Sequence, residues 1–287
     1  MSFSIVAPSF RNSAWLKLCI PSVADQSGVQ LEHIVQDSCS DDDTKNWLPS
    51  DSRVKAFIEK DSGMYDAVNR GFRRAQGDLL AYINCDEQYL PGALKTVAAF
   101  FEAHPQVEAV FTDSIVIDSD GNYICHRPPL VPKKNSMWVR FPVLTCGAFI
   151  RRSVVIERGI QFDTRWRDLG DYWWIREMVL RGVRMAVLQE LTSVFTDTGE
   201  NMNLKPNALR ERREKKQATP AWIRLLQPYW VLQYRLRLAM RTAARKRPFD
   251  YSIYTLASPA KRVTFRAAHP TTFWKGRLTL RSVTNTA

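Results

Sequence analysis

Three aspartates follow short apolar segments within the first ninety residues of the chain. Asp37, Asp61 and Asp86 each come directly after such a segment or close behind it. If the segments are parallel strands, their carboxyl ends meet at one edge of a sheet, where ligands bind in open α/β folds. Carboxylates gathered at such an edge repel one another and require a cation or hydrogen-bond donors. Any one of the three suits a helix N-cap or a turn, but all three together favour a binding site.

The chain has no glycine-rich loop for binding phosphate. No G-x-G-x-x-G motif follows the first apolar segment, and no G-x-x-x-x-G-K-S/T motif occurs anywhere. The charge of a bound phosphate would therefore be balanced by a metal ion or by basic side chains. A carboxylate such as Asp86, with phosphate oxygens as the remaining ligands, is typical of a site for Mg²⁺ or Mn²⁺.

Apolar segments alternate with helix signals in the part of the chain that carries these aspartates. Strands are predicted over residues 3–7, 31–35, 54–58, 79–83 and 107–111. Helices are predicted to begin near residues 12, 40, 64 and 91, with Gly77 ending the third of them. This alternation predicts an α/β fold in which a mostly parallel, Rossmann-like sheet is covered by helices on both faces.

The composition is that of a globular protein with a strongly basic C-terminal part. Hydrophobic residues make up 45% and charged residues 24% of the 287 positions, which excludes low-complexity disorder. The net charge of +12 divides into −4 for residues 1–204 and +16 for residues 205–287. We therefore predict a body over 1–204 and a basic extension over 205–287, joined near Asn203. The extension is expected to bind lipid headgroups, nucleic acid or an acidic partner.

Several features predict a cytoplasmic location. The chain begins directly with an apolar strand and lacks the basic region and cleavage site of a signal peptide. The five cysteines are scattered without C-x-x-C pairing, which predicts reduced thiols, and the scattered histidines do not suggest a zinc site. No apolar stretch is long enough to span a bilayer.

The basic extension contains a predicted amphipathic segment. Residues 206–247 are predicted to form two helices divided at Pro228, and residues 249–283 to form short strands or extended segments. One helical face carries Trp222, Leu225, Leu226, Tyr229, Trp230, Leu236 and Met240, and the other carries Arg224, Arg235, Arg241 and Arg245. Such a helix is typical of one lying in the plane of a membrane interface. The alternative is a helix that packs on the body and leaves its arginines in solvent.

Six segments, in order along the chain, resemble those of family 2 glycosyltransferases, which have the GT-A fold. They are I-V-A-P-S-F-R-N at 5–12, D-S-C-S-D-D-D-T at 37–44, D-S-G-M-Y-D-A-V-N-R-G at 61–71, N-C-D-E at 84–87, F-I-R-R at 149–152 and G-D-Y-W-W-I-R at 170–176. The fourth stands in place of the family's metal-binding D-x-D motif, with Asn84 replacing the first acid. Asp197 lies in the region where many members have a histidine.

The resemblance implies a role for each matching residue. The nucleotide-sugar site would be lined by Pro8, Phe10, Asp37, Asp61, Gly63 and Asn84. Asp86 would bind a divalent cation, Mg²⁺ or Mn²⁺, and Asp171 would be the general base. The sequence also allows Asp171 to be a helix N-cap. Four tryptophans either stack on sugars in the acceptor cleft or belong to the core, namely Trp138, Trp166, Trp173 and Trp174.

These roles imply that the domain over 1–204 is an inverting glycosyltransferase of bacterial polysaccharide assembly. It would transfer a sugar from a nucleotide-sugar donor to a hydroxyl of a lipid-linked glycan, as a peripheral protein at the inner face of the cell membrane. A second interpretation makes the acceptor a polyprenyl phosphate, whose phosphate needs no strong base. A third is a nucleic-acid-binding protein that uses the extension. No nucleic acid partner is expected, because the acidic body has no recognisable reader motif.

Overall fold

The computed structural model describes residues 1–199, 206–242 and 247–274. The strands of the main sheet are β1 Ser2–Ser9, β2 Gln30–Asp37, β3 Lys55–Ile58, β4 Leu79–Tyr82, β5 Glu87–Tyr89, β6 Ala109–Asp118, β7 Tyr123–Arg127, β8 Ala148–Arg151 and β9 Met185–Asp197. The helices between them are α1 Ser13–Ala24, α2 Thr44–Trp47, α3 Met64–Arg74, α4 Ala93–Ala103, α5 Arg152–Val155 and α6 Gly170–Leu180.

The main sheet is mixed, and its first four strands are parallel. The strand order is β3-β2-β1-β4-β8-β6-β9-β5, with β7 paired to β6. The pairs formed by β1 to β4 are parallel, as is the long pair of β6 with β9, whereas β8 and β5 run antiparallel to their neighbours. The predicted α/β fold class is confirmed, and a strand is found at each of the five predicted places. The fifth strand begins at Ala109 and extends beyond the predicted end.

Helices cover both faces of the sheet and create two apolar cores. On one face, α3 and α6 pack against the sheet through side chains such as Phe72 and Trp174. On the other face, α1 and α4 pack through side chains such as Ile20 and Phe101. Strands such as β4 are therefore buried on both faces, which explains their unbroken apolar sequences.

The predicted role of Gly77 is wrong. The helix α3 ends at Arg74, and Ala75 follows it as the C-cap in an extended conformation. Gly77 lies beyond the helix, where a Cβ atom would come within 2.6 Å of the Phe3 carbonyl carbon, and its N–H donates to Ser4 Oγ at 2.8 Å. Glycine is therefore required by the close approach of two chain segments rather than by the end of the helix.

The described part of the extension forms three helices and a hairpin. These are α7 Pro206–Ala218, α8 Ala221–Leu225 and α9 Gln227–Thr242, followed by the antiparallel strands β10 Phe249–Thr255 and β11 Ser258–Ala267. The prediction of two helices is wrong, because a second break precedes α8 at Pro220. The predicted junction near Asn203, the side chain of Arg245 and the segment after residue 274 lie outside the described residues. Within the described ranges, no helix is both long and apolar enough to cross a bilayer.

The hairpin of the extension is attached to the body by polar contacts. The Gln88 side chain exchanges two hydrogen bonds with the backbone of Tyr254, at 2.8 and 2.9 Å. Arg262 forms an ion pair with Asp25 at 2.6 Å. These contacts join β10 and β11 to β5 and to the end of α1.

The helix α9 turns two of its arginines toward the body and four of its apolar side chains toward solvent. The Arg241 guanidinium binds the buried Asp113 carboxylate, and Arg237 donates to the Val131 carbonyl at 2.8 Å. The apolar side chains exposed on α8 and α9, which we call the apolar stripe, are Trp222, Leu225, Leu226, Tyr229, Leu232, Leu236 and Met240. The alternative that leaves the arginines in solvent is therefore wrong for Arg241.

Candidate active site

The loops that follow β1 and β2 are joined by hydrogen bonds at the carboxyl edge of the sheet. The Ser38 N–H donates to the Ser9 carbonyl at 2.9 Å, and the Arg11 N–H donates to Ser40 Oγ at 2.8 Å. The buried Asp37 carboxylate accepts hydrogen bonds from the N–H and the hydroxyl of Ser40, at 2.8 and 2.7 Å. Asp37 therefore fixes the shape of the second loop and, through Ser40, the position of Arg11.

Two residues in these loops have a left-handed backbone conformation that L-residues rarely adopt. The φ angle is +51° at Arg11 and +56° at Cys39. Such a conformation stores on the order of 1–3 kcal/mol, and strain of this kind is concentrated at functional sites. Beside them lies the Phe10 ring, which is 49% exposed, with the cations of Arg11 and Lys60 at 5.0 and 5.4 Å from its centroid. An exposed ring flanked by cations suits a flat ligand that carries negative charge.

Three more of the predicted site residues lie at this edge, one at the end of a strand and two in a loop. Pro8 is buried near the end of β1, where its carbonyl accepts a hydrogen bond from Cys85 Sγ at 2.9 Å. Asp61 Oδ1 accepts the Gly63 N–H at 2.9 Å, just before α3 begins. The φ angle of Gly63 is +135°, a conformation that strains any residue with a side chain.

The turn between β4 and β5 alternates between side chains that face the surface and side chains that face the core. Asn84 and Asp86 are half-buried, whereas Cys85 and Glu87 are buried. Glu87 Oε2 accepts the Asn84 N–H at 2.7 Å, which closes the turn. Burial raises the pKa of the Asp86 carboxyl, and burial together with the Asp86 charge raises the pKa of Glu87.

The fit of a divalent cation to this turn depends on Asp86. Within the described ranges, no group of three or more His, Cys, Asp or Glu side chains is placed to hold a metal ion. Desolvation is the main cause of the raised pKa of Asp86, and a backbone hydrogen bond offsets part of the rise. Asp197 accepts the indole N–H of Trp274 at 2.8 Å. The residues present therefore fit a cation that takes one carboxylate from the protein and its other ligands from phosphate oxygens and water.

Asp171 lies in the first turn of α6, beside the aromatic ring of Tyr65. The N-cap position belongs to Leu169, so the interpretation of Asp171 as the N-cap is wrong. Its Oδ1 accepts the N–H of the next residue, Tyr172, at 2.7 Å. A Cβ atom at Gly170 would lie 2.4 Å from the Tyr65 ring, so glycine at this position allows α3 and α6 to meet.

The Asp171 carboxylate interacts electrostatically with the turn between β4 and β5. Burial raises the pKa of the Asp171 carboxyl to about 6, and the Tyr172 N–H and the Lys215 charge offset part of this rise. The Asp171 charge in turn contributes to the raised pKa values of Tyr82 and Glu87. Asp171 therefore lies within electrostatic range of the turn that carries Asp86.

The extension contributes two side chains near Asp171 that the sequence analysis did not include. Glu211 and Lys215 lie one turn apart on α7, and both contact the beginning of α6. The sequence contains one signal that points to Glu211, the scarcity of acidic residues in the extension. Glu211 is one of only three among residues 205–287. A carboxylate kept in so basic a segment indicates a specific partner.

The tryptophans predicted to stack on sugars occupy two kinds of environment. Trp174 is only 2% exposed and belongs to the core, so stacking on a sugar is wrong for this residue. Trp166 and Trp173 are half-buried and stack on each other, with ring centroids 4.7 Å apart. Trp138 is also half-buried and contacts Trp173 edge-on.

The sequence is similar to known glycosyltransferases over its first half. Residues 4–159 match the family model described as Glycosyl transferase family 2. Over 125 residues the chain is 31% identical to the GalNAc(5)-diNAcBac-PP-undecaprenol beta-1,3-glucosyltransferase of Campylobacter jejuni. That match covers 42% of this chain, and the chain spans only 40% of the length of this curated relative.

The fold is similar to those of solved glycosyltransferases. Staphylococcus aureus TarS in complex with UDP-GlcNAc matches with a TM-score of 0.61 at 17% identity, over 75% of this chain and 64% of TarS. The mannosyltransferase PcManGT of Pyrobaculum calidifontis, in complex with GDP-Man and Mn²⁺, matches with a TM-score of 0.53 at 18% identity, over 84% and 75% of the two chains. These matches confirm the GT-A-like fold. Because the family model also covers more than half of the sequence, the chain belongs to glycosyl transferase family 2.

Proposed function

We propose that the chain transfers a sugar from a nucleotide-sugar donor to a hydroxyl group of a lipid-linked glycan in cell-surface polysaccharide biosynthesis. The observation that carries this proposal is the electrostatic interaction of Asp171, in the first turn of α6, with Glu87 in the Asn84–Glu87 turn. The name of the Campylobacter relative includes PP-undecaprenol, and the TarS structure contains UDP-GlcNAc. Both support these classes of acceptor and donor.

In the proposed complex, the nucleotide binds over the loops that follow β1, β2 and β3. Phe10 offers an exposed ring to the nucleobase, and Pro8 and Asp37 shape the pocket beneath it. Asp61 and Gly63 lie beside the nucleotide, and Asn84 lies on the diphosphate side. The positive φ angles at Arg11 and Cys39 support this assignment, because such strain is maintained where a loop shape is used for binding.

A divalent cation, Mg²⁺ or Mn²⁺, is proposed to bind Asp86 together with the diphosphate. When bound, such a cation stabilises as a Lewis acid the charge that develops on the departing nucleoside diphosphate. The presence of Mn²⁺ with GDP-Man in the PcManGT structure supports this proposal. Asn84 in place of an acid leaves this site with one protein carboxylate, so affinity for the cation should depend on the bound diphosphate.

Asp171 is proposed to take the proton from the acceptor hydroxyl. A carboxyl group with a pKa of about 6 is ionised at neutral pH and is a stronger base than an ordinary aspartate. As the acceptor oxygen forms its bond to the anomeric carbon, the bond from that carbon to the diphosphate breaks, and Asp171 receives the proton. One displacement of this kind inverts the anomeric carbon without a covalent sugar–enzyme intermediate.

Substitution of Asp171 by asparagine tests the catalytic proposal. Thermal-shift screening against sugar nucleotides, with and without Mn²⁺, first identifies the donor. We then expect Asp171→Asn to retain donor affinity and to lose at least ~10²-fold in turnover, the lower range for loss of a general base. Asp163→Asn, which removes an acid paired with Arg165, is the control and should leave turnover unchanged. Near-normal transfer by Asp171→Asn would favour the polyprenyl phosphate acceptor instead.

Calorimetry with a nucleoside diphosphate tests the proposed donor site independently of turnover. Asp37→Ala should weaken binding in any buffer, because the carboxylate that fixes the second loop is lost. Asp86→Ala should weaken binding only when Mg²⁺ or Mn²⁺ is present. Unchanged affinity in both variants would contradict the assignment of this edge of the sheet to the donor.

We further propose that the extension over 205–287 holds the catalytic domain over 1–204 at the anionic inner face of the cell membrane. The apolar stripe faces solvent, and Arg224 and Arg235 are exposed on the same helices. Exposed Trp and Tyr side chains next to cations suit the headgroup region of a bilayer. Each Lys or Arg near such a surface contributes about 1 kcal/mol, so a few cations give reversible attachment.

Co-sedimentation with vesicles of phosphatidylglycerol and phosphatidylcholine tests this attachment. The full chain should bind, and should be partly released at high salt. Leu232→Glu combined with Leu236→Glu should abolish binding by placing charge in the apolar stripe. Leu180→Glu combined with Leu256→Glu changes two exposed leucines outside the stripe and should reduce binding much less. Equal binding by both double variants would leave the stripe without a role in attachment.

A further inference from the structure

Glu211 is a fully buried carboxylate on α7 that binds the segment leading into α6. Its Oε1 accepts the Arg167 N–H at 2.7 Å, and its Oε2 accepts the N–H groups of Asp168 and Leu169 at 3.1 and 2.8 Å. Leu169 is the N-cap of the helix whose first turn carries Asp171. The backbone N–H groups before a helix need acceptors, and the positive end of the helix dipole favours a negative one. Glu211 therefore fixes the backbone from which Asp171 projects.

Lys215 lies one turn farther along α7 and contacts the first turn of α6. Its Nζ is 3.8 Å from the centroid of the Tyr172 ring, and the Tyr172 N–H is bound to Asp171 Oδ1. Burial lowers the pKa of Lys215 to about 8, while the Asp171 charge acts in the opposite direction. A cation that is partly withdrawn from water interacts with a nearby carboxylate more strongly than an exposed one does.

We propose that α7 forms part of the catalytic centre, with Glu211 and Lys215 as positioning residues for Asp171. Glu211 holds the segment that leads into α6, and Lys215 favours the ionised form of the Asp171 carboxyl. The catalytic consequence of this assignment rests on the proposed role of Asp171 as the base. Neither residue lies in the segment that matches the family model, which ends at residue 159. The extension therefore serves the reaction itself as well as attachment to the membrane.

The charges of Lys215 and Glu211 change the pKa of Asp171 in opposite directions. The titratable groups that interact with Asp171 are Lys215 and Glu211 on α7, Tyr65 on α3, Tyr82 on β4 and Glu87 on β5, and the charge of Arg212 acts on Lys215. Lys215 lowers the pKa of Asp171, whereas Glu211 raises it. Removal of these two charges must therefore move the titration of Asp171 in opposite directions, which a merely structural role would not do.

A carbon-13 NMR titration of the Asp171 carboxyl measures this effect without a substrate. The resonance is assigned by its absence from the spectrum of Asp171→Asn. Lys215→Met should raise the pKa of Asp171 by about one unit, since a nearby opposite charge lowers a carboxyl pKa by about 1–3 units, and Glu211→Gln should lower it. The controls Lys216→Met and Glu214→Gln change exposed residues of the same helix and should leave the pKa unchanged.

Turnover of the identified donor provides the second readout. The acidic limb of the kcat profile should move to higher pH in Lys215→Met and to lower pH in Glu211→Gln, with KM for the donor unchanged. At pH 6, a rise of about one unit reduces the ionised fraction of Asp171 from about half to about a tenth, so kcat should fall about fivefold and recover at pH 9.

The two readouts distinguish failure of this proposal from failure of the proposed function. A pKa of Asp171 that is unchanged in both variants, or that changes in the same direction in both, would overturn the proposal. If the titration moves as expected while Asp171→Asn remains active, the electrostatic arrangement is upheld and Asp171 is not the base. If Glu211→Gln does not fold, Lys215→Met and its control decide the result.

Discussion

Replacement of Asp171 by asparagine should stabilise the fold at neutral pH, although it removes the proposed base. Burial raises the pKa of this carboxyl from 3.8 to about 6 in the folded chain. Between these values the folded state binds more protons than the unfolded state, so the free energy of unfolding falls as the pH rises from about 4 through 6. Above that range, the ionised and half-buried carboxylate destabilises the native state.

The size of the effect follows from the change in pKa. A rise of about two units, at about 1.4 kcal/mol per unit, corresponds to about 3 kcal/mol at pH 7 to 8. Asparagine carries no charge, and its Oδ1 accepts the Tyr172 N–H as the carboxylate does. The attraction of Lys215 is already contained in the pKa of about 6. We therefore expect Asp171→Asn to be about 1–3 kcal/mol more stable than the natural chain at neutral pH.

Urea unfolding at several pH values between 4 and 8 measures this difference. The free energies of unfolding of the two chains should be nearly equal at pH 4. The difference in favour of Asp171→Asn should grow as the pH rises. Asp163→Asn is the control of opposite sign, because its hydrogen bond with Arg165 lowers the pKa of Asp163 and stabilises the fold at neutral pH. An Asp171→Asn chain that is less stable than the natural one at every pH would refute the reasoning.

Three further predictions concern other features of the structure. In urea unfolding, Gly170→Ala should destabilise the chain by about 1–3 kcal/mol, because its Cβ would press against the Tyr65 ring. Arg241→Met should lower the free energy of unfolding by about 3–5 kcal/mol, because it removes a cation bound to the buried Asp113 carboxylate, and adding Asp113→Asn should restore part of the loss. Cys39 is the exposed cysteine of the five, so the nucleoside diphosphate of the identified donor should slow its alkylation by a maleimide. Equal rates with and without that nucleotide would place the nucleotide elsewhere.

The strands and the carboxyl edge of the sheet could be predicted because their signals are local. A strand buried on both faces must be apolar throughout, as Leu79–Tyr82 is, and the next polar residues then lie at its end. This reasoning places Asp37 and Asp86 at one edge of the sheet without any knowledge of long-range contacts. For α6 the sequence only allowed Asp171 to be a helix N-cap, and the half-buried position of Asp171 in the first turn could not be predicted.

The orientation of α9 and the role of α7 could not be predicted, because they depend on contacts between distant segments. Amphipathic spacing separates an apolar face from a basic face, but it does not say which face meets the body. Arg241 faces inward because Asp113, 128 positions earlier in the chain, offers a buried carboxylate. Glu211 likewise has its hydrogen-bond donors more than forty positions earlier, at residues 167–169.

The division of the extension between α7, which contacts α6, and the apolar stripe on α8 and α9 predicts two classes of mutant allele. A stop codon before residue 211 would remove Glu211, Lys215 and the stripe together, so a cell extract should fail to glycosylate even a water-soluble acceptor analogue. A missense allele such as Leu232→Glu keeps the contacts of α7, so its extract should act on that analogue while cells carrying it lack the finished surface glycan. Genetic loss of the glycan alone would therefore not reveal which half of the extension had failed.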